Sequence, residues 1–174
     1  MKSATPLLGF CAYGSGIGKT TLLTNLIPEL VVAGLRVSVI KHAHHTFDID
    51  QPGKDSYRLR KAGAVQMLLG SKKRWALMTE LPSSPEEPTL DELLSHVDGS
   101  LVDLIVVEGF KNAAIPKIEV YRPSLNKPLL AQTDVHIIAI ASDGAVSSHL
   151  PVLDLNNPQA IAQFVLQWLN KESS

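Results

Sequence analysis

"AYGSGIGKTT" (residues 12–21) is the stretch that decides how this 174-residue chain is read. Gly14, Gly16 and Gly18 stand on alternate positions, and Lys19, Thr20 and Thr21 follow at once. Glycine tolerates positive φ, so such a run can aim successive backbone N–H groups at one anion. Lys19 adds a cation for terminal phosphates, and the Thr20 hydroxyl is a ligand type for Mg²⁺. A helix starting here presents its positive end to the same point. The pattern G-x-x-x-x-G-K-[ST] is met at its end, whereas Tyr13 holds the leading glycine position. The expected phosphate contacts are Gly14, Ser15, Gly16, Ile17, Gly18, Lys19, Thr20 and Thr21.

The flanks agree with this reading. Pro6 to Ala12 is a short apolar run suited to a buried strand. After the glycines, Leu22, Leu26 and Leu30 recur by four, as do Leu23, Ile27 and Val31, which makes one wide apolar helix face. Gly34 is the expected stop, and Pro28 inside the helix removes one donor, so a bend is expected there. Further strands are expected at Arg36–Lys41, Leu101–Val107, His136–Ala141 and Val152–Leu155, with Lys117–Arg122 alternating as a half-buried strand. Helices are expected at Lys54–Ala62, Thr89–His96 (capped by Thr89) and Pro158–Leu169. Val65–Gly70 and Arg74–Thr79, around Ser71-Lys72-Lys73, read as a hairpin. The expected fold is α/β: a three-layer P-loop NTPase with a mainly parallel sheet, a β-hairpin excursion and one nucleotide-binding domain over residues 1–174.

A phosphate cradle of this kind needs an acid at the end of a neighbouring strand to orient Mg²⁺ or its waters. "DLIVVEGF" supplies Glu108 at a strand's C-terminal edge, where ligands of open α/β sheets bind. Asp103, at the other end, reads as a cap or surface charge. Lys19 and Glu108 are therefore the catalytic candidates, and Thr20, Glu108 and Asp55 the metal-side ones. For Asp55, capping of the short helix is the plainer role. Asp143, in "IIAIASD", can accept both N1–H and N2–H of guanine, although Ser-Asp-Gly is also a common turn former. Asn126-Lys127-Pro128-Leu129 lacks the aspartate of a guanine-reading Asn-Lys-x-Asp and reads as coincidence.

"KHAHHTFDIDQPGKDS" (residues 41–56) gathers Lys41, three histidines and three aspartates in one loop. Three roles fit: a switch-like contact with γ-phosphate and Mg²⁺, a substrate or partner contact, or a transition-metal site through His42, His44 and His45. Arg60 suits either phosphate or a neighbouring acid.

Composition narrows the partners. Sixteen basic against seventeen acidic residues give a net charge of -1, which argues against a polyanionic nucleic-acid partner. The single cysteine, Cys11, allows no intrachain disulfide and suits a reducing compartment. "LLGFC" loosely resembles a lipoprotein cleavage site, but Phe10 is too bulky before the cysteine, and no apolar run nears the roughly 20 residues of a membrane span. A cytoplasmic chain with no membrane contact is expected.

Six blocks in order, "GSGIGKTTLL", "IKHAHH", "DIDQPGKDSYRLRKAGA", "RWALMTE", "LIVVEGFK" and "IIAIASD", together resemble the molybdopterin-guanine dinucleotide biosynthesis adaptor (MobB-type) family from about residue 6 to 143. Where that family often has alanine or glycine, this chain has Tyr13. Gly14 also replaces the lysine with which some Gly-Lys-Thr-Thr proteins reach across a dimer. The resemblance implies a GTP-binding homodimer with weak, Mg²⁺-dependent GTPase activity. It further implies work beside a molybdenum cofactor guanylyltransferase that transfers GMP to molybdopterin. Two other classes remain open: a small-molecule kinase or ATP-dependent ligase, and a metal-insertion GTPase using the histidine loop.

Overall fold

The computed structural model describes residues 5–43, 47–81 and 87–172. Their elements run in the order β1 (Leu7–Cys11), α1 (Lys19–Val32), β2 (Val37–Lys41), α2 (Asp55–Lys61), β3 (Gln66–Gly70), β4 (Trp75–Thr79), α3 (Leu90–Leu94), β5 (Leu104–Glu108), β6 (Lys117–Tyr121), β7 (Ile137–Ser142), β8 (Val152–Asp154) and α4 (Pro158–Glu172). They form two compact units, one built from the chain up to His42 and from Thr89 onward, the other from residues 43–88.

In the first unit six strands form one sheet in the order β2-β5-β1-β6-β7-β8. Every pairing in it is parallel. A parallel sheet must be covered on both faces, and strand alternation divides the side chains between two cores. On one face Leu8, Phe10, Leu104, Val106, Ile118 and Val120 pack with the apolar stripes of α1 and α4. On the other, Ile40, Ile105 and Val107 pack with Leu90 of α3 and with Phe110 and Ile115. Helix α1 runs through Pro28 to Val32, and Gly34 follows at φ 92°. Thr89 accepts from the Glu92 N–H while Glu92 caps the Thr89 N–H, a reciprocal box that fixes the start of α3.

Two expectations need correction here. Residues 99–101 form a 3₁₀ turn capped by Asp98, so the strand begins only at Leu104. Strand β6 is not half-buried: both neighbours and both layers enclose it, and Lys117 and Glu119 are each only 1% exposed. Their charges are met by loops instead of water. Lys117 Nζ donates to Lys111 O (3.1 Å) and Ala113 O (2.6 Å) and pairs with Asp134 (2.7 Å). Glu119 accepts from the Leu130 and Ala131 N–H groups at 2.8 and 2.9 Å. Burial raises the Glu119 carboxyl above its ordinary range, against the pull of those two donors. Burial also pushes the Cys11 thiol up to about 12, so it stays protonated and inert. Asp103 pairs with Arg36 through two oxygens, as its surface position suggested.

The second unit packs α2 against an antiparallel hairpin of β3 and β4, closed by Ser71 N–H on Arg74 O (2.9 Å). Arg60 is buried at its centre. Its guanidinium binds Asp48, Asp50 (2.7 Å) and Glu80 (2.6 Å), tying the segment before α2 to the residue after β4. Of the two partners left open for Arg60, the acids are the ones it has. Leu68, Leu77 and Trp75 lie on the opposite, outward face of the hairpin and are exposed. Among the described residues no helix is long and apolar enough to cross a membrane.

Leu26, fully buried between α1 and the sheet, gives the first expectation: Leu26→Ala lowers unfolding free energy by about 2–5 kcal/mol in urea titration. Val32→Ala on the exposed flank of the same helix changes it by less than about 0.5 kcal/mol. In the second unit, Arg60→Ala leaves three acids without their shared cation. Amide hydrogen exchange should speed up across residues 47–81 and stay unchanged in β1.

Candidate functional site

The site grows from the C-terminal edge of β1. After Cys11 the chain leaves the sheet, and Ile17, 7% exposed, dips back into the core. That apolar anchor pins the loop while Gly14, Ser15 and Gly16 stay open to solvent. Gly16 (φ 75°) and Gly18 (φ 112°) adopt the positive φ that the alternating glycines were read as supplying. Helix α1 begins directly at Lys19, with no acidic residue in its first turn to compete for its positive end. Lys19 folds back over the loop, Nζ donating to Gly14 O at 2.9 Å.

Strand order brings Glu108 to the loop. Strand β5 lies between β2 and β1, in register Phe10 with Glu108 and Lys41 with Glu108. The Thr20 hydroxyl donates to Glu108 Oε1 at 2.8 Å. Lys41 Nζ donates to Glu108 Oε2 (2.9 Å) and to Thr20 Oγ1 (3.2 Å). Thr20 and Glu108, 88 positions apart in sequence, thus meet as the motif reading required. A hydroxyl and a carboxylate form a hard oxygen donor set of the kind Mg²⁺ takes. The backbone beyond Glu108 turns sharply, with Gly109 at φ 96°, and a Cβ there would lie 2.8 Å from the His42 Cβ. His42 stacks on Phe110 with ring centroids 4.6 Å apart.

On the other side of β1, Arg122 follows β6 and reaches the loop from behind. Its Nε donates to Ile17 O at 2.8 Å, and its Nη1 binds the Asp143 carboxylate. Asp143 sits in a turn shaped by Ser142, whose hydroxyl donates to Gly144 O at 2.9 Å. The turn-former reading of the Ser-Asp-Gly segment matches this structure, and the Asp143 carboxylate of that turn faces Arg122. Arg122 also lines a cleft beside the loop with Gly18, Thr21, Asn25 and Asn156. Lys127, in the segment read as coincidence, lies 5.8 Å above the Tyr13 ring.

Asp55 is the first residue of α2, in the second unit, where Lys54 and not Asp55 holds the N-cap position and Asp55 adds an acid to the first turn. His44 and His45 fall outside the described residues. Among the described residues no three His, Cys, Asp or Glu side chains gather as a metal site. The sequence assigns Arg122 no role at the cradle, and it places Lys41 in a loop read among other roles as a switch-like contact with γ-phosphate and Mg²⁺, without pairing it to Glu108. The signal for Lys41 was its place at the end of the strand beside Glu108, which is visible only once strand order is known. Arg122, about a hundred residues from the loop, carries no local signal.

Residues 7–143 match the family model of molybdopterin guanine dinucleotide synthesis protein B. The chain is 49% identical to the molybdopterin-guanine dinucleotide biosynthesis adapter protein of Escherichia coli, covering 99% of this chain and 98% of that one. It is 45% identical to the Haemophilus influenzae adapter protein of the same name, over 98% and 93% of the two chains. A crystal structure of a molybdopterin-guanine biosynthesis protein B superposes with a TM-score of 0.73 at 28% identity, covering 94% and 99% of the chains. A homologue from Bacillus stearothermophilus, at 21% identity and TM-score 0.69, shares the fold.

The loop glycines are not equivalent. A Cβ at Gly18 would carry a φ of +112° and lie 3.2 Å from Arg122 Nη2, whereas one at Gly14 would meet nothing within 4 Å. Gly18→Ala is expected to cost about 1–2 kcal/mol in denaturant unfolding. Gly14→Ala should remain within about 0.5 kcal/mol of the parent.

Proposed function

The chain belongs to the molybdopterin guanine dinucleotide synthesis protein B family, and on that premise we propose that it is a GTP-binding adapter in molybdenum cofactor biosynthesis. Its role is to assist a guanylyltransferase that attaches GMP to molybdopterin. The observation that carries the nucleotide part is the meeting of Thr20 and Glu108 at the open end of the glycine loop.

The residues divide the work as follows. Backbone N–H groups of the loop and the start of α1 hold the phosphates, because they point at an anion and the helix end is positive. Lys19, held over the loop by Gly14 O, is near enough to turn onto the terminal phosphates. Thr20 and Glu108 would hold Mg²⁺, since they form a hard oxygen donor pair. Bound Mg²⁺ supplies the charge neutralisation that phosphoryl oxygens need during hydrolysis. Asp143, paired with Arg122 beside the loop, would be the carboxylate that distinguishes guanine from adenine. Slow GTP hydrolysis fits a cradle whose nearest arginine, Arg122, is occupied by Ile17 O and Asp143. The adapter names of the relatives support an accessory role, and a homodimer is the working assembly.

Calorimetric titration of the wild-type protein with GTP and with ATP, each with and without Mg²⁺, tests this directly. GTP is expected to bind more tightly than ATP, and Mg²⁺ to strengthen the binding. Lys19→Ala is expected to weaken GTP by about 10- to 100-fold with an unchanged far-ultraviolet circular dichroism spectrum. Unchanged GTP affinity in that variant would remove the phosphate cradle from the function.

A further inference from the structure

Lys41 makes a contact that a phosphate-binding site does not itself require. Its ammonium touches both oxygen-bearing groups assigned to Mg²⁺: Glu108 Oε2 at 2.9 Å and Thr20 Oγ1 at 3.2 Å. The Thr20 hydroxyl closes the triangle by donating to Glu108 Oε1. The three groups differ in their access to water. The Glu108 side chain is 11% exposed, while that of Lys41 is 53% exposed. A carboxylate withdrawn from water needs a counter-charge, and its cost falls on whichever state lacks one. The lysine, by contrast, is a compact charge on a flexible, half-solvated stem, so it can leave at little expense.

We propose that Lys41 is a built-in placeholder for the divalent cation. In the nucleotide-free protein its ammonium holds Thr20 and Glu108 in the arrangement a metal needs. It yields that position when a magnesium–nucleotide enters. The inference rests on the phosphate-cradle reading and adds a positioning residue to it. Two consequences follow from charge balance. Without Mg²⁺, Lys41 screens the Glu108 carboxylate from incoming phosphates, so nucleotide binding persists at reduced strength. With Mg²⁺, the metal takes over and Lys41 contributes little. Lys41 thus reduces the coupling between Mg²⁺ and nucleotide, defined as the ratio of affinities with and without the metal.

The test measures that ratio. GTP is titrated calorimetrically into wild type, Lys41→Met and Lys41→Gln, once in EDTA and once in saturating Mg²⁺, and thermal melts check the fold of each. Both neutral variants should show a ratio about fivefold larger than wild type, mostly through weaker binding in EDTA, the size expected for one half-exposed ion pair. Lys41→Arg, which keeps the charge, should return the ratio toward wild type, which a purely structural role would not produce. If wild type binds GTP and the ratio is the same in Met and Gln variants, the placeholder role is wrong and the cradle stands. If wild type binds GTP in neither condition, the cradle itself fails and the placeholder fails with it.

Discussion

The hydrogen bond between Thr20 and Glu108 is the contact on which the site depends. It joins the first turn of a helix to the end of a strand far along the chain, and it forms only if β5 lies beside β1 with its last residue level with Phe10. Glu108 is 8% exposed. A carboxylate so placed is costly unless donors and a cation meet it. The structure supplies a hydroxyl from one side and an ammonium from the other, and β2 must lie on β5's outer edge for Lys41 to reach. Sheet order and site chemistry are therefore one constraint seen at two scales.

Strand β6 secures the opposite flank. Lys117 and Glu119 are buried charges that bind loops instead of each other, fixing the turns around Ala113 and Leu130. The stem of Lys117 lies across Gly9, where an added Cβ would come within 2.6 Å of its Cγ. Glycine in the central strand is thus a space requirement: it lets β1 and β6 pair while a lysine passes between the layers. That pairing carries Arg122 to the back of the glycine loop, where it binds Ile17 O and Asp143 together. The loop is thus held from both sides, by Ile17 in the core and by Arg122 on its backbone.

Residues 43–88 follow different rules. Their hairpin and short helix enclose one buried arginine shared by three carboxylates. The fork geometry of guanidinium suits such a task, since it offers separate donors in fixed directions. Apolar side chains on the outward hairpin face remain exposed.

Much of this could be read along the chain. The glycine spacing, Gly-Lys-Thr-Thr, the apolar run before it and the leucine stripe after it together specify strand, cradle and helix, because local periodicity and backbone freedom act over a few residues. Glu108 was legible for a similar reason, as an acid that ends an apolar run just before a glycine. The hairpin and the Thr89 capping box carry their own short-range signals. What stayed hidden depends on which strands become neighbours. Lys117 and Glu119 look like the wet face of an alternating strand until β1 and β7 flank them and loops cap their charges. Lys41 is one charge among several at the start of a histidine-rich loop until β2 pairs with β5 and sets it against Glu108, and Arg122 is only the end of an expected strand until β6 sits beside β1. Charge pairing over such separations is decided by three-dimensional proximity and desolvation, and neither leaves a pattern in neighbouring residues.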